Sequence, residues 1–100
     1  MNPMDMLAGF NQKMEEMKHR AATTEVTGEA GGGLVTVSVT CDYNCTGVHI
    51  DPKAAEDPEM LEDLIRAATN EALRQAKETT ANAMGELAAG LPIPPGMLGM

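Results

Sequence analysis

Four glycines in the first third of the chain have part of the spacing of a phosphate-binding loop. In "TGEAGGGLVTV" (residues 27–37), Gly28 and Gly33 stand where a P-loop has its two glycines. A P-loop then needs Lys followed by Ser or Thr, but Leu34 and Val35 follow here. The dinucleotide-binding pattern also fails, because Thr36 occupies its third glycine position. We therefore interpret the glycines as a turn between two strands, since glycine adopts positive φ without steric cost.

A second candidate site is the set Cys41, Cys45 and His49, which are spaced four residues apart. A structural zinc site needs a fourth ligand, and these residues fall on two predicted strands rather than on a zinc knuckle. We interpret the cysteines as small apolar residues that flank a hairpin turn, able to form a disulfide only if oxidised. The sequence therefore predicts no metal site.

Catalytic side chains lack the arrangement that nucleophilic or acid–base chemistry requires. The two histidines fall in a basic helical run and in a strand, and no Ser occupies a nucleophile elbow. The paired acids Glu15–Glu16 and Glu62–Asp63 fall on predicted helices beside basic residues, which is typical of solvated helix surface. We expect no enzymatic activity, no cofactor and no small-molecule substrate.

The basic residues form two groups at helical spacing. One row on a predicted helix consists of Arg66, Asn70, Arg74 and Lys77. A second group, at the end of an earlier predicted helix, consists of Lys13, Lys18, His19 and Arg20. Each group fits two interpretations: a salt-bridged surface, with pairs such as Glu62–Arg66 and Glu16–Arg20, or a set of phosphate contacts. Spacing alone favours the salt-bridged surface.

The formal net charge of −8 argues against non-specific attraction to nucleic acid, but it is unevenly distributed. Residues 1–21 are neutral. Residues 22–58 carry six acidic residues against one lysine, and residues 59–100 carry six against three basic residues. The acidic excess therefore lies mostly in the middle of the chain and at the start of its second long segment.

The first element that could position these groups is a helix predicted over residues 3–21. Leu7, Phe10, Met14, Met17 and Ala21 recur at 3-4-3-4 spacing, as in the seam of a coiled coil. Two heptads cannot hold a free coiled coil together, so the seam must lie either on a partner subunit or on the chain's own strands. A chain of 100 residues with two aromatic side chains builds a small core, and dimerisation would compensate for it.

Three strands are predicted next, at about residues 23–28, 33–41 and 45–50. In the second strand Val35, Val37, Val39 and Cys41 share one face while hydroxyl residues share the other, which is typical of a half-buried antiparallel strand. A short connection over residues 42–44 leads to the third strand. The three strands should therefore form a meander of two hairpins.

A long helix is predicted over residues 58–89. It follows the second of two Asp-Pro pairs, at residues 51–52 and 57–58, both of which are helix-start signals. Its apolar stripe consists mostly of small residues, which permit close approach of another backbone: Leu61, Ile65, Ala68, Ala72, Ala76 and Ala83. Gly90 should end this helix.

The predicted fold class is therefore α+β, in the order α-β-β-β-α, with a three-stranded antiparallel meander between two helices. Residues 1–90 should form one domain, and residues 91–100 an apolar tail rich in Pro and Gly. No apolar run approaches the length of a membrane span. The N-terminus lacks the pattern of a signal peptide, so a cytoplasmic location is expected.

Taken together, the segments "EVTGEAGGGLVTV", "NCTGVHID", "MLEDLIRAATNEAL" and "LPIPPGM" resemble the YbaB/EbfC family of nucleoid-associated proteins over nearly the whole chain. The resemblance implies an α-β-β-β-α fold and a homodimer whose helices project like tweezers. It also implies binding to double-stranded DNA with little sequence preference, an altered DNA conformation, a location at the nucleoid, and neither catalysis nor a cofactor.

The sequence departs from the family in charge, since Thr36, Thr46 and Gly47 stand where members often carry basic residues. The expected DNA contacts are therefore the helical cations, namely Lys13, Lys18, Arg20, Arg66, Arg74 and Lys77. The expected dimer contacts are Leu7, Phe10, Met14 and Met17. An alternative is a dimeric protein–protein interaction module, with weak or no DNA binding, that uses the Met-rich helix and the apolar tail.

Overall fold

The computed structural model of the protein describes residues 3–89, which form three helices and a three-stranded sheet. In chain order these are α1 (Pro3–Thr23), β1 (Glu25–Ala30), β2 (Val35–Thr40), β3 (Cys45–Ile50), α2 (Pro52–Ala55) and α3 (Pro58–Ala89). The sheet is antiparallel in the order β1-β2-β3, which confirms the α+β class and the meander. The predicted tail and Gly90 lie outside the described residues.

The glycine-rich segment is a hairpin turn, as predicted. β1 pairs with β2 from Glu25 opposite Thr40 to Ala30 opposite Val35, so the turn occupies the four residues between. Its three glycines all have positive φ, at 65°, 68° and 93° for residues 31, 32 and 33. A side chain with a Cβ rarely adopts this backbone, and three such residues in succession explain the glycine run.

The second hairpin is tighter and includes an irregularity. The amide of Thr40 donates to the carbonyl of Asn44 at 2.8 Å, and the amide of Tyr43 donates to the carbonyl of Thr40 at 2.9 Å. Tyr43 itself has a φ of 67°. Ser38 pairs with Gly47 while Val39 pairs with Cys45, so the register shifts by one residue on β3.

The core lies between one face of the sheet and α3. Val35, Val37 and Val39 alternate along β2 and are buried, as the period of the strand predicts. The small residues of α3 cover them, with Ala68, Ala72 and Ala76 fully buried. The apolar stripe of α3 therefore packs on the chain's own sheet.

Gly28 shows why these helix residues must be small. A Cβ at this position would lie 2.3 Å from both the Ala68 carbonyl oxygen and the Ala72 amide nitrogen. The backbone of α3 is thus in direct contact with the backbone of β1. This close approach requires glycine on the strand and alanine on the helix.

Both predicted helix-start signals are used. The Asp51 carboxylate accepts a hydrogen bond from the Lys53 amide at 2.9 Å and caps α2, while Asp57 accepts from the Met60 amide at 3.2 Å and caps α3. Each is followed by proline at the first helical position, where no amide donor is needed. The order α-β-β-β-α therefore has one short additional helix before the last.

Within residues 3–89, α1 and β3 are largely uncovered. No residue of α1 is buried, and Leu7 and Phe10 are 61% and 48% exposed. Val48 on β3 is 54% exposed although its cross-strand partner Val37 is buried, because α3 covers β1 and β2. The radius of gyration is 18.7 Å, against about 13 Å for a compact chain of this length.

The described helices include none that is both long and apolar enough to cross a lipid bilayer.

Candidate nucleic-acid interface

The basic row of α3 lies on the helix face that points away from the sheet. At 100° per residue, Arg66, Arg74 and Lys77 fall roughly opposite the buried Ala68 and Ala72. All three cations are exposed. The packing of the small-residue stripe therefore fixes which side of α3 presents its positive charge to solvent.

Two of the six predicted DNA contacts each have one carboxylate partner. Arg66 pairs with Asp63 at 3.2 Å, and Lys18 pairs with Glu15 at 3.7 Å, both at i,i+3 spacing with side chains about three-quarters exposed. Exposed pairs of this kind are weak, so a phosphate can compete with the carboxylate. The predicted pairs Glu62–Arg66 and Glu16–Arg20 are absent from the ion pairs of the described residues, and Arg66 instead pairs with Asp63, three residues before it.

Arg74 is held far more firmly than the other cations. Its Nε and Nη2 donate to the two oxygens of Glu71 at 3.0 and 2.7 Å, and its Nη1 donates to Glu78 at 2.9 Å. Glu71 also accepts a hydrogen bond from Gln75 Nε2 at 3.2 Å. We call Glu71, Arg74 and Glu78 the α3 triad.

The hydrogen bonds from Arg74, and next that from Gln75, lower the pKa of Glu71 to about 2. The same bonds to Glu71 raise the pKa of Arg74. Glu71 is therefore ionised at neutral pH, where the α3 triad presents one net negative charge. Sequence reasoning placed Arg74 among the DNA contacts but missed Glu71 and Glu78, whose spacing of three and four residues from it was the available signal.

On α1, Lys13 and Arg20 lie beside the apolar seam rather than opposite it. They line a cleft of about 180 Å³ together with Met17 and residues of α3 that include Ala83 and Glu86. Among the described residues, Lys13, Arg20 and Lys77 have no carboxylate oxygen within 4.0 Å. These three predicted contacts are thus free of competing ion pairs, and they lie on both long helices.

The exposed face of the sheet carries hydroxyls and carboxylates. Thr27 and Ser38 are hydrogen-bonded across β1 and β2 at 3.1 Å, and Thr46 donates to Glu25 at 2.9 Å. Thr36 is one of the positions where related sequences often carry basic residues. It lies on this polar face, which carries hydroxyl groups and some acidic residues.

The cysteines and the other potential metal ligands do not converge. Cys41 is buried and Cys45 exposed, and both are free thiols. Within residues 3–89, no group of three or more His, Cys, Asp or Glu side chains could hold a metal ion. The interpretation of Cys41 as a small apolar residue agrees with its burial.

A sheet that carries two long helices, with exposed cations distributed along both, is an arrangement suited to binding the phosphate backbone of nucleic acid. The comparison with protein families makes this specific. The model of the YbaB/EbfC DNA-binding family matches residues 1–91, and the chain belongs to this family. It is a nucleoid-associated DNA-binding protein, as the sequence motifs indicated.

The fold also occurs among solved structures. The chain is similar to the crystal structure of the uncharacterized protein HP0035 from Helicobacter pylori, with a TM-score of 0.78 and 22% sequence identity. The match covers 88% of this chain and 98% of that one, so both share the fold over nearly their whole lengths.

Proposed function

We propose that the protein binds double-stranded DNA as a homodimer, with little sequence preference, through the cations of α1 and α3. The observation that carries this proposal is that Lys13, Arg20 and Lys77 are exposed and make no ion pair with any described residue, in a chain with a large acidic excess. Unpaired cations can neutralise phosphates without first releasing a carboxylate. Lys18 and Arg66, each with one exposed partner, extend the same surface.

The homodimer is proposed because the described part of the chain covers the α1 seam only in part. Leu7 and Phe10 are exposed, whereas Met14 and Met17 are half-buried, and Met17 lines a cleft with residues of α3. A second copy of the chain offers an identical seam, and a two-fold interface requires such self-complementarity. Dimerisation would also double the number of free cations available to one duplex.

Phosphate contacts supply affinity and orientation but do not read bases. No step of chemistry on the DNA is proposed, and no cofactor or small-molecule substrate. The bound duplex would be held along the helical arms, which would alter its conformation and place the protein at the nucleoid in the cytoplasm. The acidic sheet would face away from the phosphates.

Fluorescence anisotropy titrations of labelled duplexes of unrelated sequence, at several salt concentrations, test the proposal. If roughly four phosphates are neutralised, log K should fall with log salt at a slope near −3.6. All sequences should bind with similar affinity. Lys13→Ala combined with Arg20→Ala should weaken binding to every duplex and flatten the slope.

The matched control is Lys53→Ala, which removes a cation on α2 that is also exposed and has no ion pair among residues 3–89. It should leave the salt slope unchanged. No binding by the wild type at low salt would reject DNA binding by this chain and favour the protein-interaction alternative. Binding that the double substitution leaves unchanged would keep the function but move the contact surface elsewhere.

A further inference from the structure

The α3 triad stands at the centre of the basic row, where a phosphate contact would be expected. Arg74 offers five N–H donors, and three of the bonds it makes go to carboxylate oxygens of Glu71 and Glu78. Any phosphate that approaches the remaining N–H groups meets two ionised carboxylates. The position that helical spacing identifies as basic therefore carries a net negative charge.

We infer that Glu71 and Glu78 limit the DNA affinity of the protein by holding the Arg74 guanidinium in a form that cannot bind phosphate. This inference rests on the proposed function, since it concerns the same helical surface. It assigns the two glutamates a role as affinity-determining residues and removes Arg74 from the contacts made by the wild type.

The geometry supports a held guanidinium rather than a loose surface pair. The two bonds to Glu71 are bidentate, which fixes the plane of the guanidinium as well as its position. Gln75 also donates to Glu71, at the same oxygen that accepts from Arg74 Nη2, and Glu71 is only 37% exposed. By contrast, Arg66 makes one bond to a carboxylate that is 75% exposed.

The inference has two consequences with opposite signs. Neutralising both glutamates should free Arg74 and tighten DNA binding. Removing Arg74 alone should weaken binding although it makes no phosphate contact, because two carboxylates on successive turns lose the cation between them. A residue that merely stabilised α3 would show neither pattern.

The test compares Glu71→Gln with Glu78→Gln against Glu59→Gln with Glu62→Gln in the same anisotropy titrations. The control pair lies on the same helix, makes no ion pair, and changes the net charge by the same amount. The first double variant should bind about fivefold more tightly than wild type, because each freed guanidinium adds one phosphate contact per protomer. Its salt slope should steepen by about 1.8 per dimer, from one more phosphate contact per protomer.

Adding Arg74→Ala to the first double variant should return the salt slope to the wild-type range and leave an affinity between those of wild type and the double variant, because the triad is then neutral. An equal gain in the control pair would mean that net charge alone matters and would overturn the inference, as would a steeper salt slope that survives Arg74→Ala. One outcome would reject this inference and keep the proposed function. In that outcome, Lys13→Ala with Arg20→Ala abolishes DNA binding, but Glu71→Gln with Glu78→Gln leaves it unchanged. Absence of binding by wild type and by the Gln pair would reject both. Thermal melting by circular dichroism checks that each variant is folded.

Discussion

Replacing Gly28 with Ala tests how closely α3 lies on the sheet. The new Cβ would lie 2.3 Å from the Ala68 oxygen and the Ala72 nitrogen, and 2.9 Å from the Ala72 Cα. All three atoms are main chain, so no side-chain rotation can relieve the overlap. α3 would have to move away from β1, or β1 would have to distort.

The size of the effect follows from the distances. Cβ contacts shorter than 3.0 Å are essentially never observed, so the two backbones must separate by at least about 0.7 Å. Overpacking of a core typically costs about 1–3 kcal/mol, and here rigid backbone atoms place the cost at about 3 kcal/mol or above. That is a large fraction of the roughly 5–15 kcal/mol that stabilises a domain. The melting temperature should fall by more than about 10 °C.

Thermal and urea unfolding followed by circular dichroism measure this loss, with all variants at one protein concentration because dimerisation would make stability concentration-dependent. Gly47→Ala is the matched control: it adds the same methyl group to a strand, and nothing lies within 4 Å of its Cβ. The control should change stability by less than about 0.5 kcal/mol. If Gly28→Ala has the same unfolding midpoints as Gly47→Ala, the close approach of α3 and β1 is refuted.

Three further outcomes are expected. Met14→Asp with Met17→Asp should reduce both the amount of folded protein and its dimerisation, because a carboxylate desolvated in the seam has no partner. Obligate dimerisation would be contradicted if the wild type sediments as a folded monomer at micromolar concentration. Replacing Cys41 and Cys45 together should leave DNA binding intact, and loss of binding by a folded variant in anisotropy would show that the thiols are not merely structural. The pKa of Glu71 is lowered to about 2, so its ion pair contributes stability that is present above the ordinary pKa of 4.5 and is lost as pH falls towards 2. Between pH 4.5 and 2, the urea midpoint of unfolding should therefore depend less on pH in Glu71→Gln than in wild type.

The elements of the fold were predictable because their signals are local. The period-two valines of β2, the Asp-Pro pairs and the small-residue stripe each depend on neighbours within a few residues, and all occur as expected. The boundary between α1 and β1 was less accurate, since α1 continues to Thr23 and β1 begins at Glu25. The hydroxyls of Thr23, the last helical residue, and of Thr24, just after it, both donate to the Arg20 carbonyl. These are local bonds, and the apolar periodicity of the sequence does not reveal them.

The charge pattern was less predictable than the fold. Spacing identified Arg66 and Arg74 as equivalent members of one row, yet one is loosely paired and the other is fixed by two carboxylates and a glutamine. Which acid within reach takes a given cation depends on side-chain conformation, and both i+3 and i+4 neighbours compete for it. Sequence spacing therefore finds the surface but does not rank its cations.

The net charge of −8 is a poor guide to DNA binding by an elongated chain. The described protein extends 64 × 27 × 15 Å, while charges in solution at physiological salt are screened over about 8 Å. Lys13 lies ten residues before the end of α1, about 15 Å along the helix axis, and its surroundings include as many cations as acids. Under the proposed function, a phosphate near Lys13 would therefore interact mainly with charges within about 8 Å, which are balanced there, rather than with the net charge of −8.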